Sequence, residues 1–294
     1  MATTKSKKTS TRKTSTKPKT ATVKTVAPQT KTVATNTNPM KGFFARKGDK
    51  TENILTIFKR PQIYGAILGE IIGTMLLSLL MFTLGLYQPL YVMFGMVAIT
   101  MAVYGLSGAH LNPLVTVGAM ATRRVSAIRG VLYIIAQIIG AWFGLLIANA
   151  FIVAGENAVE LPAMAAVADG QFWLVTLIEF MGATVFGFFF ARALSYKRSA
   201  LTFAVTVALG FTVALLFLIV ISSNFVSLQN NFMINPAISM MYQIFPTSGE
   251  SFGAIFGEIC LALVTYVIFP ILGGVIGFFL SDVTSRLSGE EIKQ

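Results

Sequence analysis

The chain has 294 residues, 54% of them hydrophobic and only 12% charged. A soluble domain carries about 25% charged residues, and the apolar runs here are too long, and apolar on too many sides, for a soluble helical core. The net charge of +11 belongs to one end: residues 1–60 hold 15 Lys/Arg and 2 Asp/Glu, and the remainder 8 and 10.

In chain order, the first segment is that basic tail. It is rich in Lys, Thr, Ser and Pro and buries too little apolar surface to fold. It reads as a disordered cytoplasmic tail over 1–60, with contact to anionic lipid as its natural partnership. It lacks the interleaved aromatics of a single-strand nucleic-acid binder. The first apolar run follows this long polar stretch, which is not the layout of a cleavable signal peptide.

Six runs are long enough to cross a bilayer core of about 30 Å: 63–86, 90–106, 130–154, 172–194, 200–221 and 252–280. Arg123, Arg124 and Arg129 fall between the second and third, and Arg192, Lys197 and Arg198 between the fourth and fifth. Glu156, Glu160 and Asp169 fall between the third and fourth, without Lys or Arg. Basic loops on the cytoplasmic side place both termini there, in a multi-pass protein of the cell membrane. A membrane domain over 61–285 and a short tail over 286–294 complete the division. Cys260, the single cysteine, lies in the last run; it cannot form an intrachain disulfide and reads as packing.

The two halves repeat in order. "GEIIGT" with Glu70 is matched by "IEFMGA" with Glu179; Asn112 is matched by Asn235; "QIIGAWFG" from Gln137 is matched by "PILGGVIG" from Pro270. Three spans per half invert the second half relative to the first. Such repeats place a site at their interface near the midplane, built from broken helices. Glycines at helical spacing, Gly65/Gly69/Gly73, Gly140/Gly144 and Gly273/Gly277, predict close helix contacts.

"SGAHLNPLVTVG" begins at Ser107, and "NFMINPAISM" contains Asn235. Asn is a favoured N-cap and Pro suits the first helical position. Each Asn-Pro therefore starts a helix of about half a bilayer. The chain before it must be non-helical at membrane depth, which survives only buried in protein or lining a cavity. Inversion brings the two N-termini together at the midplane. Their positive dipole ends and the two Asn amides would orient a passing water, while carbonyls around 108–110 and 231–233 would offer acceptors. Gly108, Ala109, His110, Asn112, Pro113, Leu114, Asn235, Pro236 and Ala237 are the candidate pore-lining residues. His110 is open to two readings, a pH gate or a packed, loop-bonding side chain, and the second is the commoner fate of a lone His. Glu70 and Glu179 are intramembrane carboxylates, which are functional by default and would suit a proton relay.

With these motifs the chain resembles the aquaporin, or major intrinsic protein, family over about 62–282. The resemblance implies an all-α membrane protein with six transmembrane helices and two re-entrant half-helices, one pore per subunit and a homotetramer. It gives Glu70 and Glu179 a structural role, accepting hydrogen bonds from the loops. It also exposes departures. The first motif carries Leu114 where the family has Ala, adding bulk where the half-helices abut. Ile238 follows the second motif where the family usually has Arg. The resemblance makes Phe232, Phe94 and Ser223 (or Ser222) the remaining filter positions; an ungapped alignment puts Val92 in place of Phe94. Ser239 is water-channel-like, whereas Phe232 is glycerol-channel-like.

No metal cluster, nucleotide loop or nucleophile–base pair is visible, so neither an enzyme nor a cofactor is expected. The function read from the sequence is a passive channel for water and small uncharged solutes such as glycerol. The alternative is a secondary transporter using the midplane site.

Overall fold

In the computed structural model, the described residues are 57–84, 88–154, 172–195, 199–225, 233–243 and 252–289. The tail to residue 56, Phe232 and the end of the chain from residue 290 lie outside them, and with them the expected disordered tail, the filter role of Phe232 and the short C-terminal tail. The described elements are α1 (Pro61–Thr83), α2 (Pro89–Ser107), α3 (Pro113–Ala121), α4 (Ala127–Ala154), α5 (Phe172–Ser195), α6 (Ala200–Phe225), α7 (Pro236–Gln243), α8 (Phe252–Leu263) and α9 (Phe269–Leu287). One π-helical turn, Val264–Ile268, joins α8 to α9.

Among the described residues, six spans are long and apolar enough to cross a membrane, α8 and α9 counting as one from Phe256 to Leu287. This is a multi-pass membrane protein. The π turn has a local cause. Pro270 brings no N–H, and its ring would clash with the carbonyl four residues earlier; the wider turn absorbs the conflict. Across it, the Thr265 and Thr176 hydroxyls bond at 2.8 Å and tie the turn to α5.

The packing follows the repeat. α1 packs on α4 as α5 packs on α9, and α1 on α2 as α5 on α6. The half-helices exchange partners, α3 lying against α9 and α7 against α4. Glycines allow the closest approaches. A Cβ at Gly140 would strike the Ile71 carbonyl, and one at Gly144 would lie 2.6 Å from that of Met75. In the second half a Cβ at Gly273 would strike the Phe180 carbonyl, and one at Gly277 that of Thr184.

At one end of the bundle, Arg124 pairs with Asp282 of α9 at 2.7 Å and lies over the Phe278 ring at 5.3 Å. Arg192 of α5 donates to Ser285 at 2.6 Å. Arg124 and Arg192 thus lie at the same end of the fold. Cys260 differs from expectation: it is exposed on α8 rather than packed inside.

Replacing Gly140 or Gly273 by Ala should force backbone apart and cost about 1–3 kcal/mol. Unfolding temperature in detergent would show it. Gly257→Ala, where nothing lies within 4 Å of the added Cβ, should leave that temperature unchanged.

Candidate functional site

The site forms where α3 and α7 meet end to end. Asn112 caps α3 from an extended backbone (φ −160°, ψ 125°), its Oδ1 accepting from Leu114 N. Asn235 caps α7 the same way, accepting from Ala237 N at 3.1 Å. Each amide then reaches across. Asn112 Nδ2 donates to the Ile234 carbonyl at 2.8 Å, and Asn235 Nδ2 donates to the Leu111 carbonyl at 2.9 Å. The two halves are latched by one crossed pair of hydrogen bonds, with Asn112 2% and Asn235 0% exposed.

The residue before each Asn is the other half of the latch. Leu111 and Ile234 both adopt left-handed backbone, with φ of 53° and 48°. This conformation is uncommon for non-glycine residues and strained for a β-branched one. It holds because each N–H is anchored on a buried carboxylate: Leu111 on Glu70 at 2.8 Å, Ile234 on Glu179 at 3.3 Å. His110 N and Met233 N occupy the other oxygens, at 3.0 and 2.8 Å. Both Glu are fully buried. Their geometry is that of loop anchors, since each side chain is committed to two consecutive backbone N–H groups.

The loop differs in detail from the sequence expectation. α2 runs through Ser107, so the non-helical segment is shorter than expected and begins at Gly108. Gly108 ends α2 in the left-handed region (φ 87°) and Ala109 follows there at 52°. The chain is therefore coiled, not extended, and the Leu111 and Ile234 carbonyls are taken by the Asn amides.

His110 is 4% exposed. Its Nδ1 bonds Thr116 Oγ1 at 3.2 Å, and its ring meets Tyr133 and Phe190 edge-on. This is the packed, hydrogen-bonded environment of a structural His. Gly108 is half-buried, while Ala109, Pro113, Leu114, Pro236, Ala237 and Ile238 are buried around the latch. Leu114 packs onto α9: a Cβ at Gly274 would come within 2.9 Å of Leu114 Cδ1. A glycine thus makes room for the non-standard leucine.

Phe94 is a correction. It is 66% exposed on the outer stripe of α2 with Tyr91 and Met101, whereas Val92 is completely buried beside Met96 and Val103. Two residues turn a helix by about 200°, so Phe94 and Val92 lie on opposite faces, and of the two it is Val92 that faces the interior. Ser223 is in α6, but its side chain falls outside the described ones.

Sequence reading missed Gln137, whose amide donates to both Glu70 (2.7 Å) and Thr116 (2.9 Å). Its signal was an amide near the middle of an apolar span. The second half carries Pro270 at the matching place, and Ser239 Oγ there is buried with no hydrogen-bond partner among the described residues. Glu258, on α8 within the last apolar run, was also passed over; it is half-buried and anchors neither loop.

A family model described as major intrinsic protein matches residues 57–281. The chain belongs to that family. Its members are membrane channels for water or small solutes, not enzymes. Among curated relatives, it is similar to aquaporin-4 of Mus musculus, 30% identical over 139 residues, 46% of this chain and 42% of that one. It is also similar to aquaporin PIP2-5 of Oryza sativa subsp. japonica, 47% identical over 47 residues, 16% and 17% of the two chains. The chain therefore matches less than half the length of these relatives. Among solved structures, the aquaglyceroporin from Plasmodium falciparum shares the fold at 17% identity and a TM-score of 0.52, over 76% of this chain and 95% of that one.

Asn112→Ala should remove a cap worth about 1 kcal/mol and leave the Ile234 carbonyl unpaired at about 1–3 kcal/mol. Asn235→Ala should do the same to Leu111. Equal losses of unfolding temperature in the two variants would match the symmetric latch; no loss in either would rule it out.

Proposed function

We propose that this major intrinsic protein is a passive pore for water and small uncharged solutes, glycerol among them. The crossed Asn pair carries this reading. An amide has two N–H donors; the latch uses one on each Asn and leaves the other for a passing acceptor. Two donors on one water oxygen orient it and interrupt proton hopping, and the two half-helix N-termini oppose cations. Asn112 and Asn235 are 2% and 0% exposed, which makes their meeting point the narrowest part of the proposed passage.

Ile238 supports the glycerol part. It is completely buried one turn into α7, where an Arg would place a fixed charge and a set of donors. With Val92 also fully buried and apolar, the wall favours the carbon backbone of a polyol over water alone. Glu70 and Glu179 are both engaged with loop backbone, so neither is free to couple transport to an ion, which favours a channel over a secondary transporter.

The same reading places both termini in the cytoplasm, on the side where Arg124 and Arg192 gather, and assembles the protein as a homotetramer in the cell membrane. The basic tail then serves lipid contact, and deleting residues 1–50 should leave permeability per channel unchanged in proteoliposomes.

Stopped-flow light scattering tests the solute. Vesicles should shrink quickly under an impermeant osmolyte and re-swell under glycerol. Ile238→Arg should lower glycerol flux more than water flux. Complete exclusion of glycerol by the parent, or an unchanged glycerol-to-water ratio in the variant, would show that Ile238 does not set the selectivity.

A further inference from the structure

The outer face of α4 carries a recess that neither the latch nor the glycine contacts use. A cavity of about 480 Å³ opens between α4 and α7, lined by Ile138, Ile139, Trp142, Leu145 and Met241. Its walls are apolar, and Ile139 and Trp142 are exposed. Met241 is the sixth residue of α7, about 9 Å along it from the latch. The recess therefore lies at hydrocarbon depth on a membrane-spanning helix, where lipid or protein covers it rather than water.

The choice between those two follows from the side chains. Close helix pairing in a bilayer uses small residues that let backbones approach. Of the glycines of α4, Gly140 and Gly144 are already spent on α1, and Gly130 faces Met120. The recess is rimmed by bulky residues, so a neighbouring helix would bridge over it without entering. A single flexible hydrocarbon tail enters such a slot and meets only apolar walls.

We propose that this groove binds one acyl chain of a membrane lipid, seated between Trp142 and Met241. The chain would buttress α7 from outside, one turn beyond Ile238. The inference depends on the protein being in a membrane and not on which solute it passes.

Trp142 is itself the reporter, because the chain has only two Trp. The full-length protein carrying Trp173→Phe is reconstituted in phosphatidylcholine vesicles with rising fractions of lipid brominated on its acyl chains. A reference protein carries Trp142→Phe, Trp173→Phe and Leu272→Trp, with the new indole on the exposed face of α9. Half-quenching of Trp142 should shift to a lower brominated fraction than that of the reference. Met241→Ala should return the Trp142 curve to the reference curve. Coincident curves in the parent would mean general lipid contact only, and an unquenched Trp142 would mean a second copy covers the groove; either overturns the proposal. A shift that persists in Met241→Ala would also overturn it, by removing α7 from the site.

Discussion

The middle of a bilayer supplies no water, so each backbone N–H and C=O of a non-helical turn there needs a protein partner. The latch between the half-helices meets that requirement with few residues. Leu111 and Ile234 each give an N–H to a carboxylate of their own half and a carbonyl to the Asn of the other half. Their left-handed backbone, costly for such residues, is over-determined by these bonds. Because each Asn also caps its own helix, loss of one side chain frees groups in both halves. The two halves are thereby made to depend on one another at the one place where the helices are interrupted.

The rest of the architecture serves this meeting point. Glu70 and Glu179 hang from α1 and α5, so the positions of those helices set the height of the loops. Gly140 and Gly144 seat α4 on α1, and Gly273 and Gly277 seat α9 on α5, at spacings a methyl group would not allow. α9 also yields space at Gly274 for Leu114, and this compensation keeps a bulkier first motif compatible with the same waist.

The halves are not chemically equal. Around Glu70 the polar groups close into a network through Gln137, Thr116 and His110. Around Glu179 the matching places hold Pro270, Ser239 and Met233, and among the described residues the carboxylate receives only its two loop N–H groups. Ile238 extends that apolar character along α7. The asymmetry gives the meeting point a polar, hydrogen-bonded first half and a more apolar second half.

Much of this was legible from sequence because its causes are local. Run length and the scarcity of charge determine spans, Asn-Pro determines a capped helix start, and glycine spacing determines which faces can approach closely. The repeat also revealed that Glu70 and Glu179 share one role. Rotation of a helix about its axis is not local, and that is where the reading failed. Phe94 and Val92 are equally apolar neighbours in sequence, and only the packing of α2 against α6 turns one outward and the other in. Gln137 acquires its meaning only when α4 is laid on α1. The left-handed backbone at Leu111 and Ile234 has no glycine to announce it, since the bonds that hold it come from residues 41 and 55 positions away. The sequence by itself determined the membrane class, the inverted repeat and the two capped half-helices. Tertiary structure alone decided which side chains face the waist and which carbonyls the Asn amides take, because those depend on groups far apart in the chain brought within 3 Å.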